Sequence, residues 1–108
     1  MPNETRQIEF ANGELLDAIT GYLGKPADPD AAGLKPGVRV SERPRPSVCY
    51  VLLDGEDREA RASELEPAAI AAALIKYCIA HKIPIPRKAA KSVQVRGESV
   101  VLLLRSNG

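Results

Sequence analysis

The chain has 108 residues, of which 44% are apolar, 27% charged and 4% aromatic, with 15 Lys and Arg against 14 Asp and Glu. A chain of this size forms one domain and buries roughly two-thirds of the surface that its unfolded form exposes, which excludes fibrous, collagen-like and wholly disordered classes. No apolar stretch approaches the ~20 residues that span a bilayer, and the polar start of the chain holds no apolar signal core. We therefore expect a soluble, cytoplasmic protein with no membrane partner.

Charge is distributed unevenly along the chain. Residues 1–66 carry 13 acidic and 8 basic side chains, whereas residues 67–108 carry 1 acidic and 7 basic side chains. The two halves therefore have net charges of −5 and +6. This asymmetry favours either mutual neutralisation within one domain or contact with a charged partner.

The first predicted helix covers residues 13–23. Apolar residues from Leu15 to Leu23 recur at helical spacing, and Asn12 is placed to accept hydrogen bonds from the first turn. The short apolar piece at residues 8–10 precedes this helix and is assigned to no element. Residues 24–37 contain three prolines and three glycines, which predicts a long surface loop.

Three strands follow this loop in the prediction. The first lies around Val38–Val40, the second is the apolar run Ser47–Leu53, and the third is Arg58–Ala62. The charged side chains of the third strand are typical of a sheet edge. The acidic residues at 54–57 before it are interpreted as a solvated hairpin turn, because they lack the ligand spacing of a calcium loop.

A long helix is predicted over residues 63–82. Ser63 and Glu66 fit a capping box, and Pro67 is allowed in a first helical turn. Apolar residues occupy two faces of this helix, one that includes Ile70 and a second that includes Ile79. A helix that is apolar over so wide an arc is expected to be covered on two sides, by the sheet and by either the first helix or a second subunit.

The last part of the chain predicts a hairpin. An extended proline segment at residues 83–86 leads to strands at Ser92–Arg96 and Ser99–Arg105, joined by a two-residue turn with Gly97 in first position. That register places Val95 opposite Val100 and aligns the apolar residues of both strands on one face. The final strand is apolar on both faces, so we expect it in the centre of the sheet.

These elements predict one α+β domain over residues 1–108, with the order αβββαββ and a mainly antiparallel five-stranded sheet packed by two helices. The order of elements is similar to that in the core of the small bacterial secretion chaperones, which carry one further helix at the end. High usage of Ala, Arg and Pro is typical of a GC-rich bacterial source.

A basic segment at residues 82–96 is the candidate interaction patch. Between Pro67 and Gly97 the sequence has no Asp or Glu, so this segment is uniformly positive. Cations in such a patch contact phosphate groups or an acidic protein. The aromatic residues are all expected on core faces, which leaves no platform for base stacking. The members of the patch are Lys82, Arg87, Lys88, Lys91 and Arg96.

A catalytic or metal site finds less support. Cys78 and His81 are three residues apart, but no orienting group or oxyanion donor accompanies them. Together with Cys49 they provide at most three metal ligands without a recognisable spacing, so both cysteines are expected to be reduced core thiols. We assign no catalytic residue, no metal ligand and no cofactor.

Three classes of function remain. The first is a non-catalytic protein-interaction or adaptor module, which includes a homodimer that self-associates through the helix at 63–82. The alternative is binding of nucleic-acid phosphates through the segment at 82–96. The third class is a small enzyme that uses Cys78 and His81.

Overall fold

The computed structural model describes residues 3–24 and 33–107. It contains six strands and two helices in that part of the chain. In chain order they are β1 (Asn3–Phe10), α1 (Asn12–Leu23), β2 (Lys35–Ser41), β3 (Ser47–Leu53), β4 (Glu59–Leu65), α2 (Pro67–Ala80), β5 (Ala90–Arg96) and β6 (Ser99–Asn107).

The strands form two antiparallel sheets of three strands each, in the orders β1-β6-β5 and β2-β3-β4. The prediction of an α+β fold with antiparallel pairing is confirmed, and the prediction of a single five-stranded sheet is wrong. The additional strand β1 pairs with one edge of β6, and β5 pairs with the other. Both edges of β6 are thereby occupied, and β2, β3 and β4 form the second sheet.

Strand β1 is not predicted from the sequence, because most of its residues are polar. Only Ile8 and Phe10 of this strand reach the core, and the residues from Glu4 to Gln7 are exposed. The strand exists through pairing with β6 along its whole length, from Asn3 opposite Asn107 to Phe10 opposite Val100. Local strand propensity does not indicate that a polar segment pairs with a strand distant in the sequence.

The β5–β6 hairpin has the predicted register. Val95 lies opposite Val100, and Gly97 has a φ of 63°, as the first position of a type II′ turn requires. Strand β6 is central in its sheet, as its apolar character on both faces predicts. Strand β5 pairs with β6 along one edge, and its other edge has no partner strand in the part of the chain that the structure describes.

Helix α2 begins four residues later than predicted. Strand β4 continues to Leu65, which is buried opposite Val48, and the helix starts at Pro67. Burial of Leu65 holds Ser63 in the strand, so the predicted capping box from Ser63 does not form. Pro67 takes the first helical position, where its missing N–H has no intrahelical acceptor to lose.

Helix α1 agrees with its prediction except at its first residue. Ala11 is the cap and Asn12 already belongs to the helix, while a side-chain oxygen of Glu14 accepts a hydrogen bond from the Ala11 N–H at 3.1 Å. The predicted loop at 24–37 is shorter at its end, because β2 begins at Lys35. Residues 25–32 of that loop lie outside the described residues.

One apolar cluster joins both sheets and both helices. Helix α1 contributes Leu15 and Ile19, and helix α2 contributes Ile70, Leu74 and Cys78, all of them fully buried. Each sheet presents one face to this cluster. In the described residues, neither helix has the length and apolar composition needed to cross a membrane.

Candidate functional site

The structure separates Cys78 from His81. Cys78 is 0% exposed within the core cluster, and burial raises the pKa of its thiol. The His81 side chain is exposed, and its ring stacks on Tyr77 with a centroid distance of 4.0 Å. A buried, protonated thiol is a poor nucleophile, so this pair lacks the geometry of nucleophilic catalysis.

The possible metal ligands are dispersed as well. Cys49 alternates along β3 with the core residues Val48 and Tyr50, so it faces away from the cluster that contains Cys78. Within residues 3–24 and 33–107, no three His, Cys, Asp or Glu side chains are grouped closely enough to hold a metal ion.

The acidic turn before β4 has a structural role. The Asp54 carboxylate accepts hydrogen bonds from the backbone N–H groups of Arg58 at 3.0 Å and Glu56 at 2.8 Å. These hydrogen bonds hold the pKa of Asp54 below its usual value. The turn is closed further by ion pairs of Arg58 with Asp54 and Glu56.

The predicted basic patch is divided between two ends of β5. Lys82 follows α2 with a φ of 58°, and Arg87 and Lys88 lie in the segment that leads to β5. Lys91 is the second residue of β5, whereas Arg96 is the last. The two residues are five positions apart along the strand, which separates them by about 17 Å and places their side chains on opposite faces of the sheet.

Two of these cations are engaged within the chain. The Lys91 ammonium donates to the carbonyl oxygens of Ala89 at 3.0 Å and Arg87 at 3.4 Å, so it holds the turn into β5. The Arg96 guanidinium donates to the Gln7 side-chain oxygen at 3.2 Å. By contrast, no carboxylate of the described residues pairs with Arg87 or Lys88, and both side chains are exposed.

Helix α2 leaves one of its two apolar faces only partly covered among the described residues. The face that includes Ile70 packs into the core, but Ile79 on the second face is 69% exposed. Ile75 on the same side is half-buried, and Ala68 and Ala71 continue this stripe toward the start of the helix. Their spacing of three and four residues aligns them along one side of α2.

Two pockets that share Lys91 in their lining lie beside this stripe. The first has a volume of about 410 Å³ and the second a volume of about 290 Å³. We call the two pockets together the α2–β5 trough. Its first part is lined by Ile75, Ile79, Ile85, Arg87 and Lys91. Its second part is lined by Pro46, Pro67, Ala68, Ala71, Lys91, Ser92 and Val93.

A second groove lies between the two helices. It has a volume of about 250 Å³, and Asp17, Lys76 and His81 are among the residues that line it. Lys76 donates to the carbonyl oxygen of Gly21 at 3.2 Å, so its charge links the two helices. Near this end of α1, Tyr22 is 38% exposed, which corrects the prediction that it lies on a core face. It lies in the last turn of α1, beyond the residues of that helix that the core buries.

Comparisons with protein-family models, with curated proteins and with solved structures find no match for this chain. The sequence predicts one wall of the trough, through the second apolar face of α2. It does not predict the other wall, because nothing in the sequence indicates that an edge of β5 lies beside α2.

Proposed function

We propose that the chain is a non-catalytic protein-interaction module that binds a protein partner along the α2–β5 trough. The exposure of Ile79 carries this proposal, because it adjoins the half-buried Ile75 and Ile85 in one groove. Isolated apolar residues are ordinary on a protein surface, whereas contiguous apolar grooves are typical of interaction sites. Burial of the exposed two-thirds of Ile79 by a partner contributes about 1–2 kcal/mol.

The walls of the trough suit this function because both are regular elements. One wall is α2, whose opposite face is fixed in the core, and the other is β5, which is hydrogen-bonded to β6. The segment between them is held by Lys91 and by Arg6, which donates to the carbonyl oxygen of Pro84 at 2.9 Å. A groove with fixed walls loses little conformational entropy when it binds.

The other two classes of function have less support. A phosphate-binding surface is favoured by clustered cations, but Lys91 and Arg96 lie about 17 Å apart on opposite faces of the sheet. An enzyme that uses Cys78 and His81 has to bring a buried thiol to an exposed imidazole. We propose a cytoplasmic location, which the two free cysteines support because thiols stay reduced in that compartment.

Selection of binding peptides tests this proposal and does not require the partner to be identified first. Random 12-residue peptides displayed on phage are selected on the immobilised chain, then synthesised and titrated against the chain in solution. Binding is compared with Ile79→Ser and with the matched control Leu23→Ser, which changes an exposed apolar residue at the end of α1. Random duplex oligonucleotides are titrated in parallel.

We expect peptides whose affinity falls at least tenfold with Ile79→Ser and less than twofold with Leu23→Ser. Peptides that bind Ile79→Ser as tightly as the original chain would reject the trough as the interaction surface. Salt-sensitive binding of the oligonucleotides, without any peptide that depends on Ile79, would replace this proposal by the nucleic-acid function.

A further inference from the structure

We infer that the partner segment is an extended apolar peptide with acidic side chains, which adds to the free edge of β5 as a fourth strand of the β1-β6-β5 sheet. This inference rests on the proposed function and specifies the class of partner. It follows from three features of the α2–β5 trough, namely the orientation of the β5 backbone, the two rows of side chains beside it and the sign of its charges.

The β5 backbone presents unpaired groups toward the trough. In a hairpin with a two-residue turn, the residues that flank the turn exchange both backbone hydrogen bonds, and the pairs alternate from there. Arg96 and Ser99 flank the turn here. The N–H and C=O groups of Lys91, Val93 and Val95 therefore point away from β6, toward the edge where an added strand takes its hydrogen bonds.

The side chains of an added strand alternate between two environments. One row faces α2, where Ala68 and Ala71 leave room at one end of the trough and Ile75 and Ile79 provide apolar contact at the other. Apolar side chains fit this row. The other row faces the outer side of the sheet, next to the polar side chains of β5 that end with Arg96.

The charges at the trough select acidic side chains for that outer row and for the ends of the peptide. The chain has no Asp or Glu between Pro67 and Gly97, the exposed Arg87 lines the trough, and Lys88, the next residue in the chain, is exposed as well. The acidic side chain next to Pro67, that of Glu66, is neutralised by an ion pair with Arg45 at 2.8 Å. A peptide that carries lysine meets the same positive charges and is repelled.

The positive charge also argues against a second copy of this chain as the occupant. A two-fold symmetric interface places each surface patch against its own copy. A dimer through the trough would set the positively charged surface that includes Arg87 and Lys91 against the same positively charged surface of the second copy. An acidic segment of a different protein meets no such repulsion.

Two synthetic fluorescent peptides of nine residues provide the probes. In one, valine alternates with glutamate, and in the other, valine alternates with lysine. Fluorescence anisotropy at low and near-physiological salt compares their binding to the full chain, to Arg87→Glu and to the control Lys35→Glu, which makes the same change of charge on β2 of the other sheet. Two further versions of the glutamate peptide carry N-methyl groups on one or the other alternate set of amides, since only one set faces β5.

We expect the glutamate peptide to bind at least tenfold more tightly than the lysine peptide. Arg87→Glu weakens its binding at least tenfold, whereas Lys35→Glu changes it less than twofold. N-methylation of one set of amides abolishes binding, and that of the other set leaves it within threefold. Equal binding of both peptides, no binding of the glutamate peptide, or equal effects of the two N-methylated sets would each overturn the inference.

The result distinguishes this inference from the proposed function on which it rests. Phage-selected peptides that depend on Ile79 but carry no acidic residue would retain the interaction module and reject the acidic strand. A dimer in sedimentation equilibrium that Ile79→Ser dissociates would assign the trough to a second copy and reject the acidic strand as well. Failure of both the selection and the synthetic probes would reject the module itself.

Discussion

Replacement of Ile79 by alanine tests directly whether the outer stripe of α2 is free in the isolated chain. The matched change is Ile70→Ala, on the same helix and with the same loss of atoms. Ile70 is 0% exposed and belongs to the core cluster, whereas Ile79 is 69% exposed. The two substitutions therefore differ in burial and not in chemistry.

The expected losses of stability differ several-fold. A fully buried isoleucine replaced by alanine lowers the free energy of unfolding by about 2–5 kcal/mol, since it loses its transfer free energy and leaves a cavity. Ile79 buries only about a third of its surface, which contributes about 0.5–1 kcal/mol. The higher helix propensity of alanine offsets part of this, so we expect a net loss of about 0.5 kcal/mol or less for Ile79→Ala.

Urea denaturation at two protein concentrations measures these losses. The chain has no tryptophan, so unfolding is followed by far-ultraviolet circular dichroism of the two helices. We expect a large shift of the midpoint for Ile70→Ala, a small one for Ile79→Ala, and no dependence on concentration for either. A loss above about 2 kcal/mol for Ile79→Ala, or a midpoint that rises with protein concentration, would show that Ile79 is buried and refute the free stripe.

Three further predictions concern residues outside the trough. Cys49 is half-buried, whereas Cys78 is buried and its burial raises the pKa of its thiol. We therefore expect iodoacetamide to alkylate Cys49 before Cys78 when the reaction is followed by mass spectrometry. Equal rates of alkylation would contradict the core position of Cys78. The lowered pKa of Asp54 stabilises the fold above the unfolded pKa of about 4, and this contribution is lost as the pH falls through the lower folded pKa. The stability advantage over Asp54→Asn, measured by urea denaturation at several pH values, should therefore shrink below pH ~4, and an advantage independent of pH would contradict this role. The buried Tyr50 hydroxyl has no hydrogen-bond partner among the described residues, so Tyr50→Phe should raise the thermal midpoint and stabilise the chain by about 1 kcal/mol, whereas a loss of stability would reveal a partner.

Local signals in the sequence predicted the elements whose causes are local. The β5–β6 hairpin followed from the turn around Gly97 and from the alternation of apolar residues, and the structure has the same pairing of Val95 with Val100. Helix α1 followed in the same way from its apolar spacing. Strand β1 and the separation into two sheets depend on which distant edges meet, and this is a property of tertiary packing that no local pattern encodes.

The candidate site was predicted only in part for the same reason. The two apolar faces of α2 are visible in its sequence, and the structure buries the face of Ile70 and leaves Ile79 exposed. The basic residues are close in sequence, but a strand carries Lys91 and Arg96 to opposite faces and opposite ends. The free edge of β5 follows from the pairing of β6 with both β1 and β5, and the sequence does not predict the pairing with β1.

A methyl-resolved NMR titration tests most directly whether the α2–β5 trough binds an acidic strand. The chain is labelled at the isoleucine δ1 methyl groups, and the valine–glutamate peptide is added in steps. We expect the methyl signals of Ile75, Ile79 and Ile85, which line the trough, to shift together and saturate, while those of the fully buried Ile19 and Ile70 stay in place. Saturating shifts confined to methyl groups outside the trough, or no shift at all, would contradict the assignment of this groove as the binding surface.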